Sequence, residues 1–392
     1  MIEWRQGRSA IAGAALLSLA LTVGYGLWGE PLWDFATRCD GRDTFTYYYA
    51  AKAALAGLNP YDSEGLQAVF GRVVFWVYTP AGLIPFAPLA LLPPVLALLA
   101  FNLAKAAALV GLALVWRRLF PAWRGAISFW LVVAIAMNAT LLQDLCSGNI
   151  AVFETLALWS AVLCCRGGKF ALAALLLGIM AAVKPIWIVL LPLPLLFGWR
   201  DRPAWRAVAA SIAVVAGALL LWLAIDPSSM RDWLRNIWLV LPIRYNAMAL
   251  GKDLRLGLGG SPDLALWRRP EVALYLAWCG AVGVLLWRRR RAAFGDPLRG
   301  MLLLVLAFLS VSLANLSYSW LIGVPAIYAA LLCAAWPLRV ALLAAALAPG
   351  PLLGWVLPYR DIAMVALVAA MLGFVALALQ TPHRDSSVQT TG

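Results

Sequence analysis

The chain alternates between long apolar runs and short polar segments. Apolar runs of about 18 residues or more recur, and this length lets an α-helix cross the hydrocarbon core of a bilayer. Lys and Arg cluster in several of the short segments between the runs, which is typical of cytoplasmic loops. Placing these clusters on one side predicts twelve spanning helices with both termini in the cytoplasm. The predicted spans are about 9–28, 95–118, 125–141, 147–165, 170–183, 186–199, 205–225, 271–289, 299–314, 319–336, 338–356 and 361–380.

Residues 80–94 are apolar, but their pattern does not predict a spanning helix. If they spanned, the basic segment 117–124 would move to the outer side, against the charge bias. We therefore expect a half-helix that enters the membrane from the outer face. Irregular backbone at that depth must be enclosed by protein or by a water-filled cavity, so this segment is expected to line the functional site. Five prolines interrupt it: Pro80, Pro85, Pro88, Pro93 and Pro94.

The polar segments complete the predicted organisation as a single all-α transmembrane domain over residues 1–392. The first outer loop contains a short helix that Asp43 begins, Gly57 ends and Asn59-Pro60 stops. Its aromatic first turn favours an orientation in the plane of the interface. The expected parts are the first outer loop 29–79, the interfacial helix 44–56, a second large outer loop 226–270 and a disordered cytoplasmic tail 381–392.

Composition and charge support the membrane interpretation. Hydrophobic residues make up 64% of the chain and charged residues 12%, about half the charged fraction of soluble proteins. The net charge of +13 lies at helix ends, so it indicates topology and contact with lipid phosphates rather than nucleic-acid binding. Cysteine and histidine spacing indicates no metal site, and no cofactor motif is present. A disulfide between Cys39 and Cys146 is left open.

Asp43 in the first outer loop is the first candidate for chemistry, and two interpretations of it stand. It caps the helix that follows, or it acts as a general base that deprotonates a sugar hydroxyl attacking an anomeric carbon. A carboxylate at the lipid–water boundary is placed to meet a lipid-borne donor. Asp40 is the second choice for the base, and Arg42, Tyr47 and Tyr48 are candidate substrate contacts.

Polar residues next to two further spans are candidate substrate contacts. Gln143 and Asn149 are costly at a membrane boundary unless they are paired or functional, although Gly148-Asn149 is also an ordinary helix-start signal. Lys184 stands alone in an apolar segment just before Pro185. It contacts a lipid phosphate or pyrophosphate oxygen, or it extends its ammonium to the interface.

The second large outer loop is basic although the charge rule favours neutral or acidic loops on that side. Arginine forks match phosphate oxygens, so a polyprenyl-phosphate headgroup and ordinary anionic lipids both suit this loop. A later polar turn with aromatic residues adds two further candidates. The residues concerned are Arg244, Lys252, Arg255, Ser319 and Trp320.

In order and spacing these residues resemble glycosyltransferase family 87, which includes polyprenol-phosphate-mannose-dependent mannosyltransferases. The resemblance is strongest over residues 40–200. It implies a GT-C fold with many membrane helices, a catalytic acidic residue in the first outer loop and inverting transfer from a polyprenyl-phosphate sugar. It makes Asp43 the expected base, Lys184 a phosphate contact and Tyr78 a substrate contact. The matching motifs are Asp43 with Tyr47-Tyr48 and Ala50-Ala51, Gly57 with Asn59-Pro60-Tyr61, Tyr78-Thr79-Pro80 with Pro88 to Pro93, Gln143 with Gly148-Asn149, and Gly178 through Lys184-Pro185.

One position departs from the family pattern. Members often carry a histidine shortly after Ser-Trp in a late outer turn, whereas Ser319-Trp320 is followed here by Leu321-Ile322-Gly323. If that histidine holds the donor phosphate in the relatives, another cation must do so here. The candidates are Arg244, Lys252, Arg255 and Arg360.

Three functions remain open at this point. The resemblance favours a transferase that moves a sugar, expected to be mannose, onto a membrane or cell-envelope glycolipid or glycan at the outer face of the bacterial inner membrane. A flippase or transporter of lipid-linked glycans would show related halves and charges at midplane. Charges within the predicted helices are scarce, and Lys105, Glu154 and Lys184 are the main candidates. A catalytically degenerate assembly protein would explain the missing histidine. The expected partners are the donor lipid, the acceptor and membrane lipids, without a cofactor or nucleic acid.

Overall fold

The computed structural model describes residues 41–71, 74, 76–121, 144, 147–244, 270–311, 321–347 and 359–379. Within these ranges the chain forms helices joined by turns, and no β-strand occurs. The α-helices are α1 (Arg42–Leu55), α2 (Ser63–Phe70), α3 (Ala87–Ala90), α4 (Pro94–Leu119), α5 (Ala151–Arg166), α6 (Phe170–Val183), α7 (Leu195–Gly198), α8 (Arg202–Ile225), α9 (Pro227–Arg244), α10 (Pro270–Gly295), α11 (Pro297–Val311), α12 (Val324–Cys333), α13 (Trp336–Leu347) and α14 (Tyr359–Leu379). The chain also forms the 3₁₀ helices Pro80–Phe86 and Pro185–Leu190.

Two of the described helices, α4 and α8, are long and apolar enough to cross a membrane. Only 11% of the most apolar part of α8 is buried within the protein, whereas the core helix of a soluble protein would be mostly buried. Leu220, Leu221 and Leu223 are among its exposed side chains. An apolar surface of this extent is stable when lipid covers it. The described helices therefore have the features of a helical membrane protein, and the number of twelve spans stays a prediction.

The segment 80–94 forms the short 3₁₀ helix Pro80–Phe86 and the single-turn helix α3, followed by the start of α4. Both pieces are too short to cross a bilayer. They pack against α1, α4 and α6. The prolines thus break the segment as the sequence predicted, and its depth in the membrane stays a prediction.

Two other segments differ from the sequence-based assignment. The predicted span 186–199 is not one helix, because Pro192 and Pro194 separate the 3₁₀ helix Pro185–Leu190 from α7. The predicted outer loop 226–270 begins with α9, a helix that the charge pattern did not reveal. Asp226 starts α9 by accepting a hydrogen bond from the backbone N–H of Ser229 at 3.0 Å.

An aromatic cluster holds α1 in the protein interior. Tyr47 stacks on Phe86 with ring centroids 4.6 Å apart and meets Trp76 edge-on at 6.0 Å. Each such ring pair contributes about 0.5–1.5 kcal/mol beyond area burial. Tyr47 and Tyr48 are only 2% exposed, so both rings lie in the protein interior, and the orientation of α1 in the plane of the membrane interface stays a prediction. Burial of these rings fixes α1 against α4 and the proline-rich segment.

Candidate functional site

Asp43 does not cap a helix, which removes one of its two interpretations. Helix α1 begins at Arg42, and its N-cap is Gly41 with φ +62°, a left-handed conformation that glycine adopts without strain. Asp43 therefore lies in the first turn. Its carboxylate is free of a capping role and can face another part of the protein.

The structure joins Asp43 to the second polar turn, 106 residues away in sequence. The Asn149 amide Nδ2 donates to Asp43 Oδ2 at 2.8 Å. Next to this contact, the Thr44 hydroxyl donates to the Gly148 carbonyl at 3.1 Å. Asp43 is half-buried while Thr44 and Asn149 are buried. The carboxylate is thus held on one side by the protein and remains accessible on the other.

The turn that carries Asn149 is organised around the buried Asp144. The Asp144 carbonyl accepts from the N–H groups of Gly148 and Asn149 at 3.0 and 3.1 Å. Its carboxylate Oδ1 accepts from the N–H of Ala151 at 3.1 Å, at the start of α5. Gly148 has φ +71°, so the turn requires a residue that tolerates the left-handed region.

Asp144 forms a fully buried ion pair with Lys105 of α4. Lys105 Nζ lies 2.7 Å from Asp144 Oδ2 and donates to the Asp144 carbonyl at 2.5 Å. Both side chains are 0% exposed.

A second ion pair corrects the expectation that Lys184 stands alone. Lys184 Nζ lies 3.2 Å from Glu154 Oε2, with the lysine side chain 19% exposed and the glutamate 5% exposed. The ammonium also lies over the Tyr78 ring at 5.7 Å and the Trp187 ring at 5.9 Å. A counter-ion and two aromatic faces offset the cost of placing this lysine among apolar groups.

Together these residues form a polar cluster, defined here as Asp43, Lys105, Asp144, Asn149, Glu154 and Lys184, where α1, α4, α5 and α6 meet. Each of its two ammonium groups has a carboxylate of its own. Within the part of the chain that the structure describes, Asp43 is the carboxylate of the cluster whose side-chain contact is with an amide. A half-buried carboxylate can accept a proton from a hydroxyl group that binds beside it.

The tyrosines predicted to contact substrate form hydrogen bonds inside the fold. The hydroxyls of Tyr47 and Tyr78 lie 3.2 Å apart, and the Tyr48 hydroxyl donates to the Leu92 carbonyl at 2.9 Å. Tyr61, which was not among the candidates, donates to the Tyr78 carbonyl at 2.9 Å. These contacts shape the wall of the cluster, and a direct role in substrate binding stays a prediction.

The remaining predicted site residues are distributed as follows. Arg42 is exposed at the start of α1. Arg244 and Arg360 lie in α9 and α14, and their side chains fall outside the described part of the chain. The other predictions also lie outside the described residues: Asp40, Gln143, Lys252, Arg255, Ser319, Trp320, the pair Cys39 and Cys146, and the tail 381–392.

Three members of the polar cluster were missed as site residues: Lys105, Asp144 and Glu154. Their signal in the sequence was a charge in an apolar setting, which is expensive unless the charge is paired or functional. The pairing could not be inferred, because Lys105 and Asp144 are 39 residues apart and lie on different segments. Each ion pair becomes visible only when the helices are packed.

The Lys184–Glu154 pair supports a prediction about stability. Lys184→Met leaves the Glu154 carboxylate buried without its cation, and we expect this to lower the free energy of unfolding by about 3 kcal/mol. The double variant Lys184→Met/Glu154→Leu removes both charges and should recover at least half of that loss. The melting temperature of the purified protein in detergent measures both effects. A double variant less stable than Lys184→Met would show that the charge is not what makes the pair necessary.

Comparison with known proteins adds one match. The family model of glycosyltransferase family 87 matches residues 76–314, more than half of the chain. The match includes Lys105, Asp144, Asn149, Glu154 and Lys184, and it begins after Asp43. No curated protein and no solved structure matches the chain.

Proposed function

Because the chain belongs to glycosyltransferase family 87, we propose that it transfers a sugar, expected to be mannose, from a polyprenyl-phosphate carrier. The acceptor is a hydroxyl of a membrane or cell-envelope glycan. The transfer inverts the configuration at the anomeric carbon. The observation that carries the proposal is the contact of Asp43 with Asn149. It places a partly accessible carboxylate of the first loop at the edge of a buried polar cluster.

In the proposed reaction Asp43 accepts the proton of the acceptor hydroxyl. The acceptor oxygen forms a bond to the anomeric carbon from the face opposite the carrier. The bond between that carbon and the phosphate oxygen breaks, and polyprenyl phosphate leaves with the bonding electrons. The products are a glycoside of inverted configuration, polyprenyl phosphate and protonated Asp43, which returns its proton to water.

The position of Asp43 in α1 supports this role. The first turn of a helix carries unpaired N–H groups and the positive end of the helix dipole, so a carboxylate is favourably placed there. A general base acts from a fixed position beside the hydroxyl that it deprotonates, and the first turn of α1 gives Asp43 such a position.

Lys184 is the proposed contact for the phosphate of the carrier. Its side chain is 19% exposed, which leaves the ammonium partly accessible from the surface. The paired Glu154 holds the ammonium in place beside Tyr78 and Trp187. As the phosphate leaves, its charge increases, and a preorganised cation there stabilises the transition state.

The direction of α5 supports a site on the outer face of the membrane. Its first residue, Ala151, comes two positions after Asn149, and its last residue is Arg166. Arg166 donates to the carbonyl of Leu119 at 2.7 Å, next to Arg117 and Arg118 at the end of α4. Asn149 and this basic end are thus separated by the length of α5, about 24 Å for sixteen residues. With basic ends in the cytoplasm, the cluster faces the periplasm or exterior.

A labelled-donor assay tests the proposal. Membranes from cells that lack the chain supply the acceptor, and purified chain is added with polyprenyl-phosphate-[³H]mannose. We expect label to move into the glycan fraction in proportion to the amount of chain, with release of polyprenyl phosphate. A nucleotide-linked mannose donor, tested in membranes unable to convert it to the lipid-linked form, should give no chain-dependent transfer.

Two results of this assay would contradict the proposal. Transfer from the nucleotide-linked donor alone would remove the lipid carrier from the mechanism. Movement of the labelled lipid across reconstituted vesicles without a new glycosidic bond would identify a flippase instead.

A further inference from the structure

The Lys105–Asp144 pair is buried in the protein and is linked to the proposed base, Asp43, through Asn149. Both side chains are 0% exposed, so neither is accessible to a sugar or a phosphate. A buried ion pair contributes little net stability, because the cost of removing two charges from water offsets their attraction. The presence of such a pair next to the base therefore requires a reason other than stability.

The contacts of the pair lead to Asp43 in three steps. Lys105 Nζ holds Asp144 by its carboxylate at 2.7 Å and by its carbonyl at 2.5 Å. The same carbonyl accepts from the N–H of Asn149 at 3.1 Å. The Asn149 amide then donates to Asp43 Oδ2 at 2.8 Å. Each step is a direct contact between two groups.

Additional hydrogen bonds link Asp144 and Asn149 to the start of α5. Asp144 Oδ1 and Asn149 Oδ1 both accept from the N–H of Ala151, at 3.1 and 3.2 Å. These bonds orient the Asn149 side chain so that its Nδ2 faces α1. Without the ammonium, the Asp144 carboxylate would be buried and uncompensated, and the turn would rearrange to reach water or another donor.

We propose that the Lys105–Asp144 ion pair is a positioning device that holds the Asp43 carboxylate in its reactive orientation through Asn149. Lys105 and Asp144 act through another residue and touch no reacting atom. This inference rests on the proposed function of Asp43 as the base. Small displacements of a catalytic group lower rates strongly, because a reactive geometry tolerates little error.

The test compares the paired variant Lys105→Met/Asp144→Asn with the unaltered protein in the labelled-donor assay at a fixed amount of acceptor membrane. Removing both charges avoids leaving one of them buried alone. We expect the apparent kcat to fall about 30- to 100-fold, a loss of the size that misplacement of a catalytic group produces. The KM for polyprenyl-phosphate-mannose should change less than about threefold, because the pair does not touch the donor.

A second comparison separates positioning from general damage to the fold. In the Asp43→Asn background the base is already lost, so removing the pair should lower the residual rate no further. Thr155→Val is the matched control, since Thr155 is buried on α5 and its hydroxyl donates to the Ala151 carbonyl of its own helix. This control should retain the rate of the unaltered protein.

The possible results are decisive in each case. An unchanged kcat in the paired variant, or an equal further fall in the Asp43→Asn background, overturns the inference. If the paired variant does not accumulate, Asn149→Ala cuts the link between the pair and Asp43 while both buried charges stay paired, and it is subject to the same two criteria. If Asp43→Asn itself keeps the full rate, the proposed base is wrong, and this result is separate from any effect of the pair.

Discussion

Replacing Asp43 with asparagine is expected to lower sugar transfer about 10³-fold, within the range that a general base contributes. Asparagine has the same shape and can still accept the hydrogen bond of Asn149 through its Oδ1. The substitution thus removes the ability to take a proton and preserves the packing of α1. The labelled-donor assay with purified protein measures the rate, and the KM for the donor should change little.

Asp62→Asn is the control for this substitution. Asp62 is an exposed carboxylate near α1 in sequence, and its Oδ1 accepts from the N–H of Gly65 at 3.0 Å to cap α2. Asparagine is an equally good cap, so this variant should keep the full rate. If Asp43→Asn retained more than a tenth of the activity at normal protein level, Asp43 would not be the base, and Asp40 would be the next residue to test.

The helices that could be predicted accurately are those whose ends carry a local signal. The span predicted at 170–183 is α6, Phe170–Val183, with Lys184-Pro185 directly after it. The span predicted at 95–118 is α4, Pro94–Leu119, which begins at a proline and ends at two arginines. Apolar length, proline at the first turn and basic residues at the last turn are all features of the sequence itself.

The start of α1 could not be placed by the same reasoning, because the capping rule selects Asp43 as the N-cap, whereas the N-cap is Gly41 and the helix begins at Arg42. Aspartate is common both at the N-cap and in the first turn, so composition does not separate the two positions. The choice here depends on Asn149, which binds the Asp43 carboxylate from another part of the chain. A tertiary contact thus overrides the local preference.

The direction in which the tyrosines of α1 face could not be predicted for a related reason. Tyrosine suits both a membrane interface and a protein interior in which its hydroxyl finds a partner. The Tyr47 hydroxyl pairs with the hydroxyl of Tyr78, which comes after α2 in the sequence. The polar cluster has the same origin, since the side-chain contacts that bring its helices together join residues at least 30 positions apart.

Gly148→Ala is expected to separate α1 from the turn that carries Asn149, with loss of transfer and of stability. A Cβ at this position would overlap the Thr44 hydroxyl and lie 3.0 Å from the Thr44 Cβ. Thr44 is buried and cannot move into solvent. The substitution also strains the backbone at φ +71° by about 1–2 kcal/mol. We expect at least a tenfold fall in rate and a lower melting temperature in detergent.

Gly168→Ala separates the two causes of this effect. Gly168 has φ +70°, and a methyl group added there would meet no atom within 4 Å, so alanine brings the backbone strain without the overlap. This control should lower the melting temperature less and leave transfer unchanged. Thr44→Ala combined with Gly148→Ala removes the overlapping hydroxyl and should recover part of the rate. Equal losses in Gly148→Ala and Gly168→Ala would instead mean that backbone strain alone matters and that the approach of Thr44 to Gly148 does not hold the base in place.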